Sequence, residues 1–201
     1  TLVNLLMRFY EVQGGRITLD GIDTRELSRD ELRKQFGMVL QETWLFTGSI
    51  KENIAFGAFD PSEDVISNAA SAANIDHFIR SLPEGYETKL TDDSAAISNG
   101  ERQLLTIARA FIADPAILIL DEATSSVDTR TEVLVQQAMK RLRAGRTSFV
   151  IAHRLSTIRD ADVILVMDKG GLVEQGTHQE LMTKRGFYFN LYSSQFSEAG
   201  E

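Results

Sequence analysis

Four consecutive aliphatic residues, Ile117 to Leu120, run straight into two carboxylates, Asp121 and Glu122. The run is too short for most helices and has no polar alternation, so it reads as a strand buried on both faces. Strands of that kind belong to parallel sheets covered by helices, and ligands of such sheets bind beyond the carboxyl ends of the strands. Asp121 and Glu122 stand at that end. A carboxylate pair there can hold a magnesium ion and polarise a water, the chemistry that nucleotide hydrolysis needs. A buried strand stopping at an acidic turn accounts for the run alone equally well, so its surroundings decide.

Two further apolar runs end on polar groups. Phe36 to Leu40 reads as a second buried strand ending at Gln41, and Thr147 to Ala152 as a third ending at His153. Taken singly, Gln41 is a polar residue at a strand end and His153 a hydrogen-bonded histidine. In one parallel sheet, however, the three polar ends meet on a single rim, where they form the parts of a phosphoryl-transfer site. The Ser/Thr-x-x-Glu patterns that begin at Ser28, Ser49, Ser98 and Thr177 predict capping boxes that open helices. The box at Ser98 precedes the acidic strand. Its Ser98, Gly100 and the positive end of the helix dipole make a ready anion site, although a well-capped helix is the commoner meaning of that spacing. Asp128 likewise reads as the cap of a helix from Thr129 to about Arg143.

The remainder of the chain supports a sheet-based core with a helical satellite. Thr1 to Glu11 reads as a helix with Leu2, Leu5, Leu6 and Phe9 on one face, and Arg16 to Gly21 as an antiparallel strand ending on a turn. Trp44 and Phe46 lie in an exposed-looking loop, as packing residues or as a docking surface. From Asp60 to about Ala96 short helical periods rich in Ala, Ser and Asn predict an insertion. Asp162 to Met167 is a strand, Lys169-Gly170-Gly171 a hairpin turn, and Thr177 opens a last helical region. The 201 residues carry a net charge of -8, which argues against a nucleic-acid-coating surface, and they include no cysteine, which excludes disulfides and thiolate metal sites. No apolar run approaches the ~20 residues of a membrane helix.

In this order the motifs resemble the nucleotide-binding domain of ABC transporters, and within that family exporters of the multidrug or lipid type. Gln41 resembles the Q-loop glutamine, Ile97 to Glu101 the signature motif, and Ile117 to Asp121 the Walker B strand. Glu122 resembles the catalytic glutamate, Ser125 to Asp128 the D-loop, and His153 the switch histidine. The signature departs from the usual Leu-Ser-Gly-Gly-Gln, with Asn99 and Glu101 at two of its places. Thr1 resembles the residue just after the family's phosphate loop, so the chain is expected to be a fragment that alone binds ATP poorly and hydrolyses it negligibly.

The resemblance implies an α/β fold of the P-loop NTPase (RecA-like) type. It would have a parallel-sheet core, an antiparallel β part and a helical subdomain, without the N-terminal strand and P-loop. Residues 1–59 and 113–201 would form the core and 60–112 the helical subdomain. The implied cofactors are ATP and Mg2+. Glu122, His153 and Gln41 would be catalytic, Asp121 and Gln41 would serve the metal, and Ser98, Gly100, Glu101, Thr1 and Asp128 the nucleotide. The implied partners are a second nucleotide-binding domain, identical or not, and transmembrane domains, with no nucleic acid, at the cytoplasmic face of a membrane. Two other readings are an ABC-type ATPase of DNA repair or chromosome maintenance and a weakly hydrolysing regulatory module.

Overall fold

The computed structural model describes residues 2–40, 43–91, 97–122, 128–152 and 158–197, with the backbone alone at Glu122 and 195–197. The chain divides into two compact units, Leu2–Phe149 and Val150–Glu201.

In the larger unit, helix α1 covers only Leu2–Leu6 and not the stretch to Glu11. Its end is set by side chains from elsewhere. Arg33 donates to the carbonyls of Met7 and Arg8 at 3.2 and 3.4 Å, and Arg8 turns left-handed at φ 52°. Arg8 in turn donates to the carbonyls of Thr24 and Leu27, both at 2.8 Å. Phe9 therefore leaves the predicted apolar face; it is 52% exposed and lies under the Arg33 guanidinium. Strands β1 (Thr18–Leu19) and β2 (Ile22–Asp23) form the antiparallel hairpin. Asp20 and Gly21 turn it, both at positive φ, the conformation of a tight type I′ turn.

Helix α2 (Arg29–Lys34) opens at the Ser28 box and leads into β3 (Phe36–Val39). After β4 (Gly48–Ser49), α3 (Ile50–Ala55) opens at the Ser49 box. The predicted insertion contains α4 (Glu63–Ala72), α5 (Asp76–Ser81), a 3-10 turn at Gly85–Glu87 and β5 (Lys89–Leu90), which pairs back onto β4. Then come α6 (Asn99–Ala113), β6 (Ile117–Glu122), α7 (Thr129–Arg143) and β7 (Thr147–Ala152). Helix α6 is the hub: it packs against α3, α4, α7 and β3, and its Leu104, Leu105, Ile107 and Ala108 are buried. Helix α7 is held to the turn after α4 at Leu134 and Arg141. There Asn74 donates to the Leu134 carbonyl at 3.1 Å and Arg141 donates to the Ala72 carbonyl and to Asn74 Oδ1.

The principal sheet has the order β3-β6-β7. In β6, Leu118, Ile119 and Leu120 are fully buried, as predicted. The two strands beside it are less buried than predicted. In β3 only Gly37 and Val39 are buried, and Leu40 beyond it is 41% exposed; no residue of β7 is fully buried, and Ile151 is 41% exposed. Among the described residues β6 has a paired strand on each side, whereas β3 and β7 have one each.

In the smaller unit, β8 (Ile164–Asp168) and β9 (Gly171–Gly176) pair antiparallel, turned by Lys169 and Gly170 at positive φ. Helix α8 (His178–Lys184) opens at the Thr177 box, and α9 covers Phe187–Ser197. Ile164, Val166, Leu181 and Tyr188 form the unit's core, and the Tyr188 hydroxyl meets His178 Nδ1 at 2.8 Å. Glu174 on β9 caps α9, accepting from the N–H groups of Phe187 and Tyr188 at 2.9 and 2.8 Å. No helix among the described residues is long and apolar enough to cross a membrane.

Candidate functional site

The candidate site starts from the pairing of β3 with β6. The two strands are parallel and in register from Phe36↔Ile117 to Val39↔Leu120. Their carboxyl ends are therefore adjacent, and the chain leaves β3 beside the point where Asp121 follows Leu120. Asp121 is half-buried and engaged with a neighbouring group, and Glu122 is the last residue of β6. Thr1, Gln41, His153 and residues 123–127 lie outside the described residues, as does the side chain of Glu122. The predicted convergence of three polar strand ends is thus described at one of them, with the exit of a second beside it.

The second part is the start of α6. Ser98 is extended (φ -67°, ψ 162°) and forms the predicted reciprocal box. Its Oγ accepts from the Glu101 N–H at 3.3 Å, while Glu101 Oε2 accepts from the Ser98 N–H and from its hydroxyl, both at 2.8 Å. Ser98 and Asn99 are exposed and Gly100 is buried. The first N–H groups of a helix have no intrahelical acceptor, so this turn presents N–H groups and a positive dipole end to solvent. A carboxylate accepts but cannot donate. Glu101 therefore engages the one O–H that Ser98 could give an anion and adds a negative charge beside it. This is the physical consequence of the departure at that place in the signature.

Asp128 caps α7, its Oδ1 accepting from the Thr131 N–H at 3.0 Å. Hydrogen bonds from the Thr131 side chain and backbone hold its carboxyl below the usual carboxylate range. Among the described candidates, Ser98, Gly100 and Glu101 act as one unit, whereas Asp121 and Asp128 each stand at the end of a different element.

Sequence reasoning missed two residues, Asn53 and Arg109. Asn53 is fully buried and clamps the loop before α3. Its amide donates to the Phe46 and Ser49 carbonyls at 3.0 and 3.1 Å, and its Oδ1 accepts from the Phe46 N–H at 3.0 Å. Arg109 on α6 donates to the Asn53 carbonyl at 2.9 Å, to Asn53 Oδ1 at 3.2 Å and to the Trp44 carbonyl at 3.3 Å. Neither belongs to a spacing pattern. An Asn within a capped helix and an Arg on an amphipathic one give no signal until the loop that they bind is seen.

Comparison with known proteins agrees with this arrangement. Residues 1–125 match the ABC transporter family. The fatty acid ABC transporter ATP-binding/permease protein of Mycobacterium bovis is 60% identical over 191 residues, 95% of this chain and 30% of that protein. The ATP-dependent lipid A-core flippase of Syntrophus aciditrophicus is 52% identical over 198 residues, 98% of this chain and 33% of that protein. The chain thus spans about a third of the length of these curated relatives. A solved bacterial Atm1-family ABC exporter with ATP bound superposes with a TM-score of 0.89 at 42% identity, covering 100% of this chain and 35% of that one. The mixed α/β fold is accordingly that of an ABC nucleotide-binding domain, of the P-loop NTPase type. With ordered motifs, fold and relatives in agreement, the chain belongs to the ABC transporter family.

Proposed function

We propose that the chain is the ATP-binding and ATP-hydrolysing part of an ABC exporter and powers transport across a membrane. The observation that carries this reading is the acidic end of β6, set beside the exit of β3 in a parallel sheet. In it, Glu122 orients and deprotonates the attacking water as a general base. His153 contacts the γ-phosphate, and Gln41 passes motion to membrane helices. Asp128, at the end of the D-loop stretch Ser125 to Asp128, and Thr1 serve the nucleotide. Ser98 and Gly100, with Glu101 behind them, complete the nucleotide site of a second such domain, so the working unit is a dimer. The segment 60–112 acts as a helical subdomain on a core of 1–59 and 113–201. The transmembrane domains of the same transporter place the chain at the cytoplasmic face of a membrane. The relatives described above carry transport names, which favours export over DNA maintenance.

The donor set also suits Mg2+. That ion takes one or two carboxylates and fills its other positions with water and substrate phosphates. Among the described residues no group of three acidic or imidazole side chains is assembled that could enclose a metal, and Asp121 with Gln41 would hold it. When bound, Mg2+ neutralises charge on the phosphates.

The test is Glu122→Gln in the full-length protein. It is expected to bind MgATP and accumulate as an ATP-bound dimer without turnover, detected by sizing with and without nucleotide. Turnover at the parent rate would overturn the assignment.

A further inference from the structure

Arg109 on α6 makes three side-chain hydrogen bonds, and the reaction as assigned above does not use it. These bonds go to neutral oxygens: the Asn53 carbonyl, Asn53 Oδ1 and the Trp44 carbonyl. Its guanidinium also lies 5.1 Å from the ring centre of Phe56, which packs with Trp44 and Phe46 in an aromatic trio. Burial pushes its pKa below the ordinary arginine value.

The loop that it grips has no regular pairing of its own between Thr43 and Thr47. Its place is set by Asn53, whose amide pairs with Phe46 on both the N–H and the carbonyl side, as a neighbouring strand would. Asn53 is in turn bonded to Arg109. The loop follows Gln41 in sequence, and Trp44 within it is 60% exposed. Arg109 is ten residues along α6 from Asn99, roughly 15 Å at the helical rise. At that far end stands Ser98.

We propose that Arg109 is a positioning residue for the ATP reaction: it fastens the loop after Gln41 to the helix whose first turn carries Ser98, so that the two move as one body. The proposal rests on the function proposed above. A displaced loop drags Asn53, Asn53 drags Arg109, and the buried α6 transmits the shift along its axis to Ser98. The arrangement requires a guanidinium. Its fork reaches two groups of Asn53 and the Trp44 carbonyl together while its flat face lies near Phe56. A lysine keeps the charge but cannot span that set. Because Ser98 acts on the partner's nucleotide only when two domains close, slack in this link affects the closed, reacting state and spares the first encounter with ATP. Small misplacements in such a state are costly to rate.

The experiment measures MgATP turnover by the full-length protein in lipid, alongside its Tm and folded fraction. Arg109→Lys is expected to lower kcat at least tenfold per folded molecule while KM for MgATP changes less than twofold. Phe56→Leu, which removes the ring beneath the guanidinium and keeps the hydrogen bonds, is expected to lower kcat about threefold with the same KM. A brace that serves stability alone would lower Tm and leave kcat per folded molecule and KM as they were. A kcat within twofold of the parent in Arg109→Lys, or a rise in KM with kcat unchanged, overturns the proposal. If Arg109→Lys does not fold, Phe56→Leu decides alone, and an unchanged kcat there overturns it. Absence of turnover in the parent itself would instead refute the underlying ATPase assignment.

Discussion

Replacing Gly37 with alanine places a methyl group where the structure has no room for one. Gly37 is buried in β3 opposite Leu118 of β6. A Cβ built on it runs into the ring of Pro115 and meets Leu118 Cδ2 at 3.3 Å. Pro115 is itself buried at the turn between α6 and β6, and a proline ring cannot swing aside as a flexible side-chain end can. Overpacking of this kind costs about 1–3 kcal/mol. Against it, alanine restricts the unfolded chain and returns about 0.4–1 kcal/mol. The net is a loss of about 1–2 kcal/mol, or a fall in Tm of roughly 2–8 °C for a domain of this length. The assay is urea unfolding of four proteins: the parent, Gly37→Ala, Pro115→Ala and the double variant. If the clash is the cause, removing the ring relieves it, and the double variant should be more stable than the sum of the single effects by about 1 kcal/mol. Additivity within about 0.5 kcal/mol, or a Gly37→Ala protein as stable as the parent, would refute the reasoning.

Further outcomes follow from the same contacts. Asn53→Ala removes three backbone partners from a buried loop and should cost about 3–5 kcal/mol in urea unfolding, since each net hydrogen bond contributes about 1 kcal/mol and stranded polar groups add to that. Asp23, whose carboxyl is held down to about 2 by the side-chain and backbone hydrogen bonds of Arg25, should titrate near that value by NMR. The Ser28, Ser49 and Thr177 boxes hold Glu31, Glu52 and Glu180 below the ordinary range. With folded pKa values depressed, their stabilisation is complete above the unfolded value of about 4.3 and is lost as pH falls through the folded ones. Acid titration followed by circular dichroism should show that loss below pH ~4, and replacing the three by glutamine should flatten it. Glu101→Gln removes a charge from beside Ser98 and should lower the MgATP concentration for half-maximal turnover of the full-length protein.

What could be read from the chain alone was everything that depends on a few consecutive residues. The boxes predicted at Ser28, Ser49, Ser98 and Thr177 formed as spaced, because a cap needs only its own turn. The Asp20-Gly21 and Lys169-Gly170 turns formed because positive φ is a local requirement. The motif order also identified the family before any contact was known. Tertiary structure decided the rest. Three apolar runs looked alike, yet only Ile117 to Leu120 is the central strand, because burial depends on neighbours brought from far along the chain. The end of α1 was set by Arg33, 26 residues beyond Met7, and no local periodicity contains that bond. Arg109 reaches Asn53 across 56 residues and Trp44 across 65, so its part in holding the site is visible only once the helix and the loop are folded together.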